Sequence, residues 1–281
     1  LGWQGIAVPE KYGGSGQTFI ETALLLEEMG RVLLPAPFLV TAAIVAPLLL
    51  ALGNEEQRQR WLPGIAAGHM VATLAILEPG ARDEWQTPTL LARREGSELR
   101  LSGRKRLDPF AAQSDLIVTV AQLQGLGTTL IAVEQGTRVL SCTRLATLGG
   151  DHLYDVCFDD VRVPQTALIG AGGAVDTCIA RALLRACAGS LAYIVGAAER
   201  VLEMTVDYAK KFKAKYGPNT TWIAGYSNDV FGYVPSLRVW KEGGYEGGEA
   251  MIYFGRPSPF SEAVEETIVE KTAQLVKRTA P

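Results

Sequence analysis

Histidine is nearly absent. The chain holds two, His69 and His152, which argues against a self-contained zinc site of the His-rich kind and limits His-based acid–base schemes. Cysteine is scarce and unpatterned: Cys142, Cys157, Cys178 and Cys187 contain no C-x-x-C pair. They read as small buried apolar residues in a reducing compartment, not as a disulfide framework. Neither sign of charge dominates, with 27 Lys and Arg against 30 Asp and Glu, so there is no electrostatic case for nucleic acid or an acidic membrane surface. No membrane span is expected. The apolar run Phe38 to Leu52 is about 15 residues against the ~20 required; Pro47 interrupts it and Gly53 ends it, so a buried core helix is expected. The sequence given does not start with Met, and no signal peptide is expected. A start at Leu1 is expected of a fragment, and the expected location is cytoplasmic.

What is present suffices for one large or two ordinary domains: 281 residues, 48% of them hydrophobic. Thr18 followed by Glu21 forms a capping-box pattern that opens a helix running to Leu34, broken by Pro35 and Pro37. A second helix is expected over 38–52. Asn54 caps a third, which Pro63 disturbs. From about residue 71 the apolar period becomes two, and Ser97–Leu107, Asp115–Ala121, Thr128–Val133 and Tyr154–Val163 read as strands. Several short strands without βαβ alternation suggest a sandwich or barrel and argue against a Rossmann sheet. After a hinge at Gly170–Gly173, one helical pattern runs from Ala174 to about Lys213, roughly 60 Å at helical rise. Its stripe of Leu183, Leu184, Leu191, Ile194 and Leu202 needs covering, and association through it is expected.

Order and spacing of short stretches carry a resemblance over the first ~210 residues. These are Pro9-Glu10-Lys11-Tyr12-Gly13-Gly14, Glu27-Glu28-Met29-Gly30-Arg31, Gly53-Asn54-Glu55-Glu56-Gln57, Glu78-Pro79-Gly80, Gly103-Arg104-Lys105 and Phe158-Asp159-Asp160-Val161. Together they resemble the acyl-CoA dehydrogenase family. The resemblance implies an α+β chain with a helical N-terminal domain (1–70), a β-barrel-like middle domain (71–170) and the first helix of a C-terminal bundle (171–213). It also implies FAD, an acyl-CoA thioester substrate, and removal of hydrogens from the α and β carbons. By position the flavin neighbours are Leu77, Glu78, Pro79, Leu107 and Pro109. The family's hydroxyl residues are replaced here by Leu77, Asp83 and Pro109, and its Trp by Leu107, so flavin contact would fall to backbone groups around Leu77–Pro79. Glu78 has a second reading, a strand-end surface carboxylate.

Composition changes near residues 208–214. Residues 214–281 resemble the end of the neutral/alkaline ceramidase catalytic domain, through Gly225-Tyr226-Ser227-Asn228-Asp229 to Pro235 and Glu242-Gly243-Gly244-Tyr245-Glu246-Gly247. This is a foreign α/β tail to a truncated bundle. That resemblance implies zinc, with Tyr233 as a ligand and Tyr245 beside the substrate amide; buried aromatic packing is the alternative for both. Tyr245-Glu246-Gly247 also looks like the dehydrogenase family's catalytic-glutamate loop, which makes Glu246 a candidate base. Three functional readings result: a chimeric dehydrogenase fragment, inactive alone because the catalytic-carboxylate region is missing; a non-catalytic partner subunit of a heteromeric dehydrogenase; and a zinc amidase remnant.

Overall fold

The computed structural model describes residues 2–80, 85–216, 237–242 and 261–279. They fall into two compact units, Leu1–Leu202 and Glu203–Pro281, taken separately here.

In the first unit, α1 (Phe19–Arg31) starts where the sequence says it should. The Thr18 hydroxyl and the Glu21 carboxylate close a capping box, with the Thr18 N–H donating to Glu21 at 2.8 Å. Thr18→Ala should cost about 1 kcal/mol, checked by the urea midpoint; an unchanged midpoint would show the cap to be redundant. The expected second helix is wound in two ways, a π stretch over Leu39–Val45 continuing as α2 (Ala46–Leu52). It is buried, as expected of Phe38–Leu52. Thr41 latches it to the sheet, donating to the Ala72 carbonyl at 2.7 Å and accepting from the Ala72 N–H at 3.1 Å. In α3 (Glu55–Ala66), Asn54 and Gln57 form a second capping box. Gln57 also bridges to the sheet domain, donating to the Thr166 and Leu168 carbonyls. Pro63 lies inside α3 without ending it, because only one further turn follows before Ala66.

The strands are β1 (Ala72–Ala75), β2 (Leu91–Glu95), β3 (Glu98–Pro109), β4 (Leu116–Leu123), β5 (Gly127–Glu134), β6 (Leu140–Arg144), β7 (Leu153–Pro164) and β8 (Leu168–Ala171). They make one sheet in the order β6-β7-β3-β2-β4-β5-β8, with β1 beside β4. In that order β6 and β8 are ends rather than partners, so the expected barrel-like closure is not seen in the pairing. One edge of β4 carries β1 first (Ala72↔Leu116) and then β2 (Leu91↔Gln122). The chain therefore leaves the sheet after Ala75 and re-enters it at Leu91, on the same edge. The larger buried core runs through helices and sheet alike, from Val8 and Trp61 to Val156 and Ile179, and a second cluster gathers Leu26, Met29, Phe38 and Ala42.

At the hinge, Gly172 takes φ +68, left-handed backbone that glycine adopts without strain. It turns β8 into α4 (Gly173–Tyr216). The first part of α4 is built into the core through Val175, Ile179 and Ala182. Of the predicted stripe, Leu184, Leu191, Ile194 and Leu202 are exposed, whereas Leu183 packs partly against the core. By length and composition alone, Gly173–Lys211 is apolar enough to cross a membrane. In the second unit, Leu237–Glu242 (α5) and Val264–Thr279 (α6) are helical.

Candidate functional site

The site is built at the notch where β1 gives way to β2. Residues 76–78 run beside the end of β3: the Ile76 carbonyl accepts from Lys105 Nζ at 3.2 Å, and the Leu77 carbonyl accepts from the Arg106 N–H at 2.9 Å. Thr73 donates to the Pro109 carbonyl at 2.6 Å. Leu77, Glu78, Pro79, Leu107 and Pro109, named from two distant stretches of sequence, are thereby brought side by side.

Glu78 is not a surface carboxylate. It is 8% exposed and clamps the base of the loop between β1 and β2. Its oxygens accept from the Thr89 N–H at 2.7 Å, the Leu90 N–H at 2.9 Å, the Thr89 hydroxyl and Lys105 Nζ at 2.7 Å. Burial by itself raises the Glu78 carboxyl, but those hydrogen bonds outweigh it and hold it below its ordinary value. Lys105 is fully buried. Burial pulls its ammonium down, opposed by Glu78 and by the charge of Asp108.

Asp108 sits three residues beyond Lys105 and is 1% exposed. Its Oδ2 has no hydrogen-bond partner. Burial pushes its carboxyl well above the ordinary range; nearby Asp155 adds to this, while Lys105 and the Ile76 N–H oppose it. The β3–β7 register shifts between Lys105 and Asp108. Leu107 and Phe110 on either side take φ +60 and +56, a left-handed backbone that costs a bulky residue roughly 1–3 kcal/mol.

Pro109 and Phe110 form one wall of a cleft of about 420 Å³. Met29, Phe38 and Leu39 supply another side, and Tyr193 and Ile194 of α4 a third. Phe110 stacks on His152, centroids 5.3 Å apart and planes within 9°, and its N–H donates to the His152 carbonyl at 2.7 Å. Gln113 holds the histidine side, with Nε2 3.3 Å from His152 Nδ1 and donating to the Tyr154 hydroxyl at 2.7 Å. Of these cleft residues Pro109 was named as a flavin neighbour and Ile194 as part of the α4 stripe, whereas Phe38, Leu39, Phe110 and Tyr193 were not singled out as site residues. An acid at an inward position of an otherwise regular strand was the one available signal for Asp108. Glu246, Tyr245, Tyr233 and Asp83 lie outside the described residues. Among the described residues, no group of three or more His, Cys, Asp or Glu could hold a metal ion.

A helical layer, a mixed sheet with a polar notch, and a long helix beside an apolar cleft make up the first unit. Comparison with known proteins gives the same arrangement. Residues 1–69 match the family described as acyl-CoA dehydrogenase, N-terminal domain. The chain is 32% identical over 223 residues to the acyl-CoA dehydrogenase FadE12 of Mycobacterium tuberculosis, covering 76% of this chain and 57% of that one. The solved Tcur3481-Tcur3483 steroid ACAD is 30% identical, with a TM-score of 0.69, over 77% of this chain and 57% of that one. A glutaryl-CoA dehydrogenase of Mycobacterium smegmatis in complex with FADH2 shares the fold, with 24% identity and a TM-score of 0.68 over 74% of this chain and 54% of that one. The chain thus spans a little over half the length of these proteins. The fold is an acyl-CoA dehydrogenase fold, and the acyl-CoA dehydrogenase family is the one these comparisons support. They lend no support to a ceramidase-like segment or to zinc.

Proposed function

We propose that this chain carries the flavin platform and the acyl cleft of an acyl-CoA dehydrogenase, for α,β-dehydrogenation of an acyl-CoA thioester. The observation that carries this reading is the juxtaposition of Leu77–Pro79 with Leu107–Pro109 at a cleft whose wall continues from Pro109 into Phe110. The residues fit FAD through backbone and apolar contact. Leu77 and Pro109 offer aliphatic surface, and the Leu77 and Glu78 N–H groups have no protein acceptor among the described residues. A bound FAD would supply the hydride-accepting ring. The protein's part is to orient it on that platform and to hold the acyl group against Phe38, Leu39 and Tyr193, away from water. The family's catalytic carboxylate belongs to the region that the resemblance lacks here, so the chain alone is proposed to bind without turning over. The exposed stripe of α4 favours association.

One observation favours a second reading, a non-catalytic subunit of a heteromeric dehydrogenase: Pro109 presents neither a hydroxyl nor an N–H where the resembling family hydrogen-bonds the flavin. Titrating the purified chain with FAD, followed by flavin fluorescence, separates the two. The first reading expects quenching that saturates and a further spectral change with an acyl-CoA. Binding of acyl-CoA without any flavin response would replace it with the second, and binding of neither would overturn both.

A further inference from the structure

We propose that the Leu107–Phe110 segment is a proton-gated wall of the cleft, seated while Asp108 is neutral and unseated when Asp108 ionises. The proposal rests on the acyl-cleft reading for its ligand but not for the switch itself.

The segment is held against its own preference. Two non-glycine residues take left-handed backbone, at φ +60 and +56, and a register shift separates the segment from the regular part of β3. Opposing that strain are discrete latches. Thr73 donates to the Pro109 carbonyl at 2.6 Å, Ser114 donates to the Phe110 carbonyl at 2.9 Å, and Phe110 donates to the His152 carbonyl at 2.7 Å. Seating these latches drives the Asp108 side chain inward, to a place where Oδ2 meets no donor. A neutral carboxyl tolerates such a place at modest cost; a carboxylate does not.

The surrounding groups relieve it only in part, through the charge of Lys105 and the Ile76 N–H. Lys105 on β3 is committed to Glu78 at 2.7 Å. Asp155 on β7 repels Asp108, and its own partner is Arg106 at 3.4 Å. Cys142 on β6 lies close enough for the Asp108 charge to raise its thiol. Tyr154 on β7 pairs with Asp108, His152 stacks on Phe110, and Asp151 lines the cleft beside them. The least costly response to ionisation is for the strained segment to release and carry the carboxylate to water, which moves Pro109 and Phe110 out of the cleft wall.

The direction follows from proton linkage. The seated fold binds the Asp108 proton more tightly than the unfolded chain does, so seating is favoured at low pH and lost as pH rises towards the folded value.

The test is hydrogen–deuterium exchange of the peptide spanning residues 105–113 in the full chain, comparing the native protein with Asp108→Asn at matched pH. The substitution is isosteric, keeps His152 and removes only this titration. Protection in the native protein, relative to the variant, should fall by about tenfold for each pH unit through the transition. Binding of an acyl-CoA to the native protein should weaken in parallel and stay level in the variant. Identical exchange profiles in the two proteins would overturn the gate. An exchange transition with no acyl-CoA binding at any pH would keep the gate and overturn the cleft's assignment instead. Should the variant unfold, Asp108→Val, which fills the same inward position with an apolar side chain, takes its place.

Discussion

Replacing Lys105 by methionine should destabilise the first unit by about 3–5 kcal/mol, the cost of leaving a buried charge without its partner. The fold makes this outcome steep. Glu78 is drawn inward by two backbone N–H groups and a hydroxyl that themselves need an acceptor at the notch between β1 and β2. It therefore cannot swing out to water when the ammonium is lost without orphaning the Thr89 and Leu90 donors. Against a typical domain stability of roughly 5–15 kcal/mol, the loss should appear as a large fall in the denaturant midpoint at little change in slope. It should also appear locally, as proteolysis between Glu78 and Thr89. Adding Glu78→Gln to Lys105→Met should recover a substantial part, because the neutral amide oxygen still accepts from the backbone while the uncompensated charge is gone. The clamp has an acid limb as well. Glu78 is held below its ordinary value of 4.5, so its contribution is complete above that pH and is lost as pH falls through the folded value. A loss within about 0.5 kcal/mol for Lys105→Met, the range of an ordinary surface change, would show that the pair clamps nothing.

Much of this architecture was legible because it is local. The capping boxes at Thr18 and Asn54 announce α1 and α3 within four residues of chain, and β3, β4, β5 and β7 carry enough alternation or apolar run to be read as strands. β1, β2, β6 and β8 were harder. β1 is four residues buried on both faces, which removes the alternation. β2 is Leu-Ala-Arg-Arg-Glu, whose single buried residue, Ala92, gives no pattern. The five positions assigned to the flavin come from the family resemblance alone; the fold ties Leu77 to Arg106 and Glu78 to Lys105 across the notch. What could not be read is the electrostatics. Glu78 looks like a surface residue until Lys105, twenty-seven positions on, is seen to fold onto it. Asp108 looks unremarkable until the register shift turns it inward. The cleft wall joins α1, the Phe38–Leu39 segment, β3 and α4, four stretches that share no local signal. The tyrosines and glutamate of the tail, Tyr233, Tyr245 and Glu246, stay with the sequence alone.

The second large effect is expected at a glycine. α4 turns a seam with seven-residue spacing toward the rest of its unit (Val175, Ile179, Ala182, Gly189, Gly196) and ends it in glycine where α1 crosses. A Cβ on Gly196 would stand 1.9 Å from the Glu27 carbonyl oxygen, and one on Gly30 would stand 1.9 Å from the Tyr193 carbonyl oxygen. Both obstacles are backbone, which cannot rotate away as a side chain can. Two effects then oppose one another in Gly196→Ala. Helix propensity favours alanine by about 1 kcal/mol. Against it, the two helices must separate, stripping contacts from Leu26, Met29, Phe38 and Tyr193, at a cost of about 3 kcal/mol or more. The steric side wins, and the net loss should be read in a thermal or denaturant melt. Gly64→Ala in α3 is the contrasting case: its added carbon meets the Met70 Cβ at 3.2 Å, which asks for a shift of a few tenths of an ångström and not a separation of helices, and the change should cost far less than Gly196→Ala. The crossing also positions one side of the cleft, since Met29 lies one residue from Gly30 and Tyr193 three from Gly196. Gly196→Ala should therefore weaken any cleft ligand by more than its global destabilisation explains under conditions where both proteins are folded. A variant as stable as the native chain, with unaltered ligand affinity, would mean that the α1–α4 crossing is looser than its backbone contacts show.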